Sequence, residues 1–170
     1  ILAKTRKVEA RCAGRELGGA AVVNLEFGDG KLAGHVRDGS LAKALAGHVT
    51  GADLVLTWGP DGGYGHADHR LVSAITTQIV QAKPADDRPK LLYVGIPTGT
   101  LPPLPQMAVW ATTDPALLTE TIAYTPADLK AATAAAGCHE TQFDAFSRDG
   151  MMSMFDGTIW RGRVHFRPAF

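Results

Sequence analysis

The residues Asp53–Trp58 (DLVLTW) lead directly into a glycine-rich stretch, which leads into Leu71, Val72, Ile75 and Ile79 at the spacing of one helix face. An apolar run of strand length, a pliable turn and a one-faced helix together predict a doubly buried strand with a helix packed back onto its sheet. Such a strand needs neighbours, and the chain offers them. Lys90–Ile96 (KLLYVGI) reads as a second strand, and Ala20–Phe27 (AAVVNLEF), bounded by glycines and followed by the turn signal GDGK, as a third. Met107–Thr112 (MAVWAT) is predicted as a further strand after the Pro-rich loop 97–105, with Thr119–Tyr124 as a short edge strand.

Helical periods fill the gaps. In 1–17, Ala10, Ala13 and Leu17 share one face while Lys4, Lys7, Arg11 and Arg15 line another, and Gly18-Gly19 ends the run. Ser40 is placed to cap a short helix over 41–47. Thr125 and Pro126 occupy the cap and first-turn positions of an alanine-rich helix over 126–136, which breaks at Gly137 and resumes through 139–146; the tail 158–166 alternates weakly as a strand. Strands alternating with helices at this spacing predict a single α/β domain over 1–170 with a mainly parallel sheet and right-handed crossovers. Ligands of such sheets collect beyond the carboxyl ends of the strands, where the loop 59–69 begins.

Composition narrows the class of ligand. The 17 Lys+Arg balance 17 Asp+Glu, and the basic residues form no run, which disfavours nucleic acid and acidic membranes as partners and favours small or neutral ligands. No stretch reaches the roughly 18–20 consecutive apolar residues of a membrane span. Cys12 and Cys138 have no CxxC spacing and are expected as two reduced thiols in a reducing, cytoplasmic compartment. No GxGxxG or Walker sequence follows a predicted strand. His35, His48 and His165 stand alone and read as surface residues, and Met151, Met152 and Met154 read as plastic packing. The chain opens on Ile1 with no capping residue before its first helix, so further residues are expected upstream.

The chemistry concentrates at His66, Asp68 and His69, set among Gly59, Gly62, Gly63 and Gly65. Two imidazoles at a helix start with a carboxylate between them are the equipment of a metal site or an acid–base pair. The same residues also make a capping aspartate with two surface histidines, and spacing alone does not separate the two.

The whole string GPDGGYGHADHR, residues 59–70, resembles the GPDGGYGHPDHR signature of the LmbE-like (PIG-L) N-deacetylases, with Ala67 in place of proline. The resemblance extends to Arg6-x-x-Glu9, Ala13, Leu17-Gly18, Phe27-Gly28-Asp29-Gly30, Lys130 and His139-x-Thr141-Gln142. It implies a Rossmann-like three-layer domain, and a zinc or similar divalent-metal hydrolase that removes acetyl from an N-acetylglucosamine-type amine on a small-molecule, lipid or thiol-precursor carrier. The family's facial His-Asp-His ligand set draws two members from an AHPDD motif, which these residues lack, so the first strand is expected to be missing and His69 is the one ligand carried over.

By the same resemblance, His66 oriented by Asp68 is expected to steady the tetrahedral intermediate and protonate the departing amine, and Tyr64 to polarise the carbonyl. Arg6 and Asp29 are expected to approach substrate hydroxyls, and His139 to line the cleft. On their residues alone, Arg6 belongs to an exposed basic stripe, Asp29 to a turn, and His139 to a helix end or core. A non-catalytic sugar- or metabolite-binding domain that has discarded the first metal motif is the competing expectation, and a homo-oligomer is allowed by either.

Overall fold

A computed structural model describes residues 1–170. In chain order its elements are α1 (Leu2–Glu16), α2 (Leu32–Arg37), α3 (Ser40–Val49), β1 (Leu54–Trp58), α4 (Ala67–Gln81), β2 (Lys90–Gly95), β3 (Glu120–Ala123), α5 (Pro126–Gly137), α6 (Ala145–Phe155) and β4 (Arg163–Pro168). A single π-helical turn, Asp156–Trp160, connects α6 to β4. The chain is α/β, with a four-stranded sheet in the order β1-β2-β4-β3. β1 and β2 are parallel, Leu54 opposite Lys90, whereas β2 and β4 are antiparallel, Leu92 opposite Pro168. The sheet is therefore mixed rather than mainly parallel.

The chain divides into two compact units, Ile1–Leu25 with Ile122–Val164, and Glu26–Thr121 with His165–Phe170. In the second, Val80, Leu91, Tyr93 and Val49 form one cluster between α3, α4 and the sheet, while Leu41, Leu32 and Ile75 form another with Phe27, Leu71 and Val72. The helical spacing of Leu71, Val72, Ile75 and Ile79 is thus the face that α4 buries, and the helix that the sequence predicts there is present.

In the first unit, α1 and α5 are joined by a disulfide between Cys12 and Cys138, whose Cα atoms lie 5.8 Å apart. This corrects the expectation of two reduced thiols. The pair meets only through helix packing across a sequence separation of 126, which spacing does not disclose. The predicted cap of α5 is present as a full capping box, with Thr125 and Asp128 exchanging side-chain and backbone bonds.

Four local expectations are overturned. Ala20–Phe27 forms no strand, and Val22 and Val23 are 40% and 61% exposed. Met107–Thr112 is turn and coil, with Met107 buried from a short 3-10 turn and Ala111 N donating to the Gly63 carbonyl at 2.7 Å instead of joining a ladder. β1 is not doubly buried, since it pairs only with β2 and exposes Leu54 and Leu56 on one face. The resumption of helix after Gly137 comes at Ala145, capped by Asp144, and not at 139. A short apolar run fixes none of these outcomes until its neighbours are known.

Candidate functional site

The glycine-rich loop leaves the carboxyl end of β1 and is wound tightly by its own polar groups. Asp61 Oδ1 accepts from Gly63 N at 2.7 Å, the Asp61 carbonyl accepts from Arg70 Nε at 2.9 Å, and Tyr64 N donates to the Gly62 carbonyl at 3.0 Å. Gly62 and Gly63 both sit at φ 74°, where side chains are disfavoured. A Cβ on Gly62 would also lie 2.8 Å from the His66 carbonyl, which leaves no room for one.

The loop ends at the start of α4, and His66 is the N-cap: its Nδ1 accepts from Asp68 N at 3.2 Å. The expectation that Asp68 caps this helix and orients His66 is therefore corrected. The Asp68 carboxylate is buried and turned elsewhere, accepting from Gly30 N at 2.7 Å and Leu32 N at 3.4 Å. It fastens the GDGK turn beside the loop, and that turn carries Asp29, whose Oδ1 lies 3.7 Å from His66 Nε2. Asp29, predicted as a substrate contact, is thus the carboxylate facing His66.

The two imidazoles stand 4.7 Å apart between centroids, and their hydrogen bonds assign them opposite tautomers. Because His66 Nδ1 accepts, its proton resides on Nε2, toward Asp29. His69 Nδ1 faces the Gly62 carbonyl at 3.3 Å, so there Nδ1 carries the proton and Nε2 keeps its lone pair. Burial, and after it the neighbouring His66, lowers the pKa of His69 and favours the neutral ring, against the opposing pull of the Gly62 carbonyl, Asp68 and Asp29. Tyr64 stands edge-on to both histidines, at 5.9 Å from His66 and 5.0 Å from His69, and meets Trp110 at 5.9 Å.

Arg6 and His139 are gathered around a different group, within the first unit. Glu9 is buried in α1 and accepts from Thr141 N at 2.7 Å and Thr141 Oγ1 at 2.8 Å. Burial alone would raise its pKa, but the two Thr141 bonds, with His139 and Arg6 nearby, lower it on balance. Arg6 Nε is buried without a hydrogen-bond partner, and His139 Nδ1 lies 3.0 Å from Gln142 Nε2.

Sequence reasoning passed over Trp58 and Trp110. Trp58, at the carboxyl end of a strand and next to the loop, occupied a position that could have drawn attention to it; Trp110 had no such signal. No three His, Cys, Asp or Glu side chains converge as a group able to hold a metal, so the residues of this chain do not by themselves fit a catalytic metal. His69 Nε2 is the imidazole lone pair the loop leaves available for one.

The two histidines, one facing a carboxylate and the other a backbone carbonyl, thus sit together at a helix start beyond a strand end of an α/β chain. Residues 1–80, which contain both histidines, match the model of the family described as PIG-L: GlcNAc-PI de-N-acetylase. That match, over a little under half of the chain, supports the resemblance carried by the loop signature. No curated protein matches the chain. No helix is long and apolar enough to cross a membrane.

Proposed function

We propose that the loop 59–70 is the proton-handling part of a de-N-acetylase acting on an N-acetylglucosamine-type amine carried by a small molecule, lipid or thiol precursor. The observation that carries this reading is the pair of backbone contacts that assigns the rings opposite tautomers, Asp68 N to His66 Nδ1 and His69 Nδ1 to the Gly62 carbonyl. Amide hydrolysis needs a donor for the departing amine, and His66 Nε2–H, 3.7 Å from Asp29 Oδ1, is the candidate. Tyr64, edge-on to both rings, is assigned to polarise the acetamide carbonyl. Asp68 serves the site indirectly, by holding the Asp29 turn.

Zinc, or another divalent ion, enters this reading only through the family pattern, in which His69 would be one of several ligands; the residues present do not make up the set, and no step is derived through it. The chain's own residues bind, orient and protonate. The test is hydrolysis of an N-acetylglucosamine conjugate by protein supplied with zinc. His66→Ala should lower turnover by about 10²–10⁴-fold while metal content stays unchanged. His69→Ala should lower metal content, and unchanged metal content and activity in that variant would defeat the assignment.

The lack of a three-ligand group favours a second reading, a sugar- or metabolite-binding domain without hydrolytic activity. Zinc calorimetry on the 170-residue chain separates the two. Tight binding with deacetylation excludes the binding-only domain, whereas saturable sugar binding without turnover excludes the hydrolase.

A further inference from the structure

Trp58, the last residue of β1, has no role in the proton chemistry above, yet its indole lies parallel to the His69 imidazole, with centroids 5.0 Å apart and planes within 7°. The same indole presses on the loop: a Cβ on Gly63 would sit 2.7 Å from Trp58 Cε3 and Cζ3. Gly63 directly follows Gly62, whose carbonyl faces His69 Nδ1 at 3.3 Å. One flat side chain therefore touches both sides of that hydrogen bond, the imidazole by stacking and the glycine turn by contact. Tyr64 closes the arrangement edge-on, 6.3 Å from Trp58 and 5.0 Å from His69.

A 3.3 Å bond to a carbonyl on a glycine-rich turn is a weak constraint on a ring that rotates about two torsions. A parallel aromatic face removes most of that freedom, because tilting the imidazole breaks the stack. We infer that Trp58 is the positioning residue of His69: it fixes the imidazole plane and the Gly62–Gly63 turn together, so that Nδ1 is held to the carbonyl and Nε2 is presented with its lone pair. Trp58 belongs to β1 and therefore ties the chemistry of the loop to the sheet. The inference rests on the reading of His69 Nε2 as the functional atom, but it concerns only the ring's orientation and its proton.

Tautomers are read directly by long-range ¹H–¹⁵N correlation on the ligand-free 170-residue chain, at a pH where the ring is neutral. Wild-type protein should show His69 in the Nδ1–H form, with nuclear Overhauser contacts between its ring protons and the Trp58 indole. Trp58→Phe, which keeps a flat face, should retain that form; Trp58→Leu should convert it to a mixture with substantial Nε2–H. A folded Trp58→Leu protein that keeps the wild-type signature overturns the inference. Should Trp58→Leu fail to fold, the wild-type spectrum decides, and absence of either the Nδ1–H form or the indole contacts overturns it. The hydrolase reading fails on a different result, no turnover with this spectrum intact.

Discussion

The Cys12–Cys138 bond admits a worked prediction, because its effect depends mainly on how much chain it closes. It spans a sequence separation of 126. In the chain-entropy treatment, a loop of that length costs the unfolded ensemble about 16 cal/mol/K, or about 4.9 kcal/mol at 25 °C. Glu9, one helical turn before Cys12, accepts both Thr141 bonds three residues beyond Cys138, so a noncovalent tie remains when the covalent one is cut. The Cys12→Ser/Cys138→Ser variant should therefore fold and lose about 3–5 kcal/mol from the unit that contains α1 and α5. Amide hydrogen exchange reads that unit by itself: protection in α1 and α5 should fall by about 10²–10³-fold or more, with α4 and β2 much less affected. Two reactive thiols in denatured, unreduced protein would refute the premise. Unchanged α1 and α5 protection in the variant would refute the energetics.

Three other perturbations follow from the contacts. Asp68→Ala frees Gly30 N and Leu32 N and should cost about 2–4 kcal/mol, read from urea unfolding of the unit that contains α4; a loss under ~0.5 kcal/mol would show that the turn holds without it. Glu9, with its folded pKa lowered, contributes stability that is present above its unfolded value, near pH 4.3, and lost as the pH falls through the folded one. Acid titration of wild type against Glu9→Gln should show a drop in α1 protection below about pH 4 that the variant lacks. β1 has one unpaired edge and exposes Leu54 and Leu56, with no charge or proline within Leu54–Trp58, so self-association at high concentration should weaken in Leu56→Lys; sedimentation showing the same behaviour for both proteins would count against the open edge as its cause.

What the sequence discloses here is whatever is decided locally. The Thr125 cap, the one-faced α4 and the glycine-punctuated loop are each settled within a few residues, and each is found where it is read. Contacts that close over distance are not legible. The Asp68 carboxylate serves Gly30 and Leu32 across 38 and 36 residues, and nothing near position 68 announces it. The reading of Asp68 as a cap chose the right helix start and the wrong residue, because His66 accepts from the Asp68 amide while the Asp68 carboxylate is held by Gly30 and Leu32. Ala20–Phe27 and Met107–Thr112 are apolar enough for strands, yet a strand exists only where a neighbour offers its edge. The histidines, Asp29 and Tyr64 are brought together as the motif implies. Arg6 and His139 meet around Glu9, a residue whose carboxylate the motif alone does not mark as buried.

The division of labour between the two rings is written in backbone, one amide at the start of α4 and one carbonyl in the turn before it. Surface replacements around the loop can alter what docks there without exchanging which ring gives a proton and which gives an electron pair. Lengthening or shortening the stretch between Gly62 and Asp68 by a single residue would dislocate both addresses at once. A homologous loop can therefore drift in composition far more freely than in length.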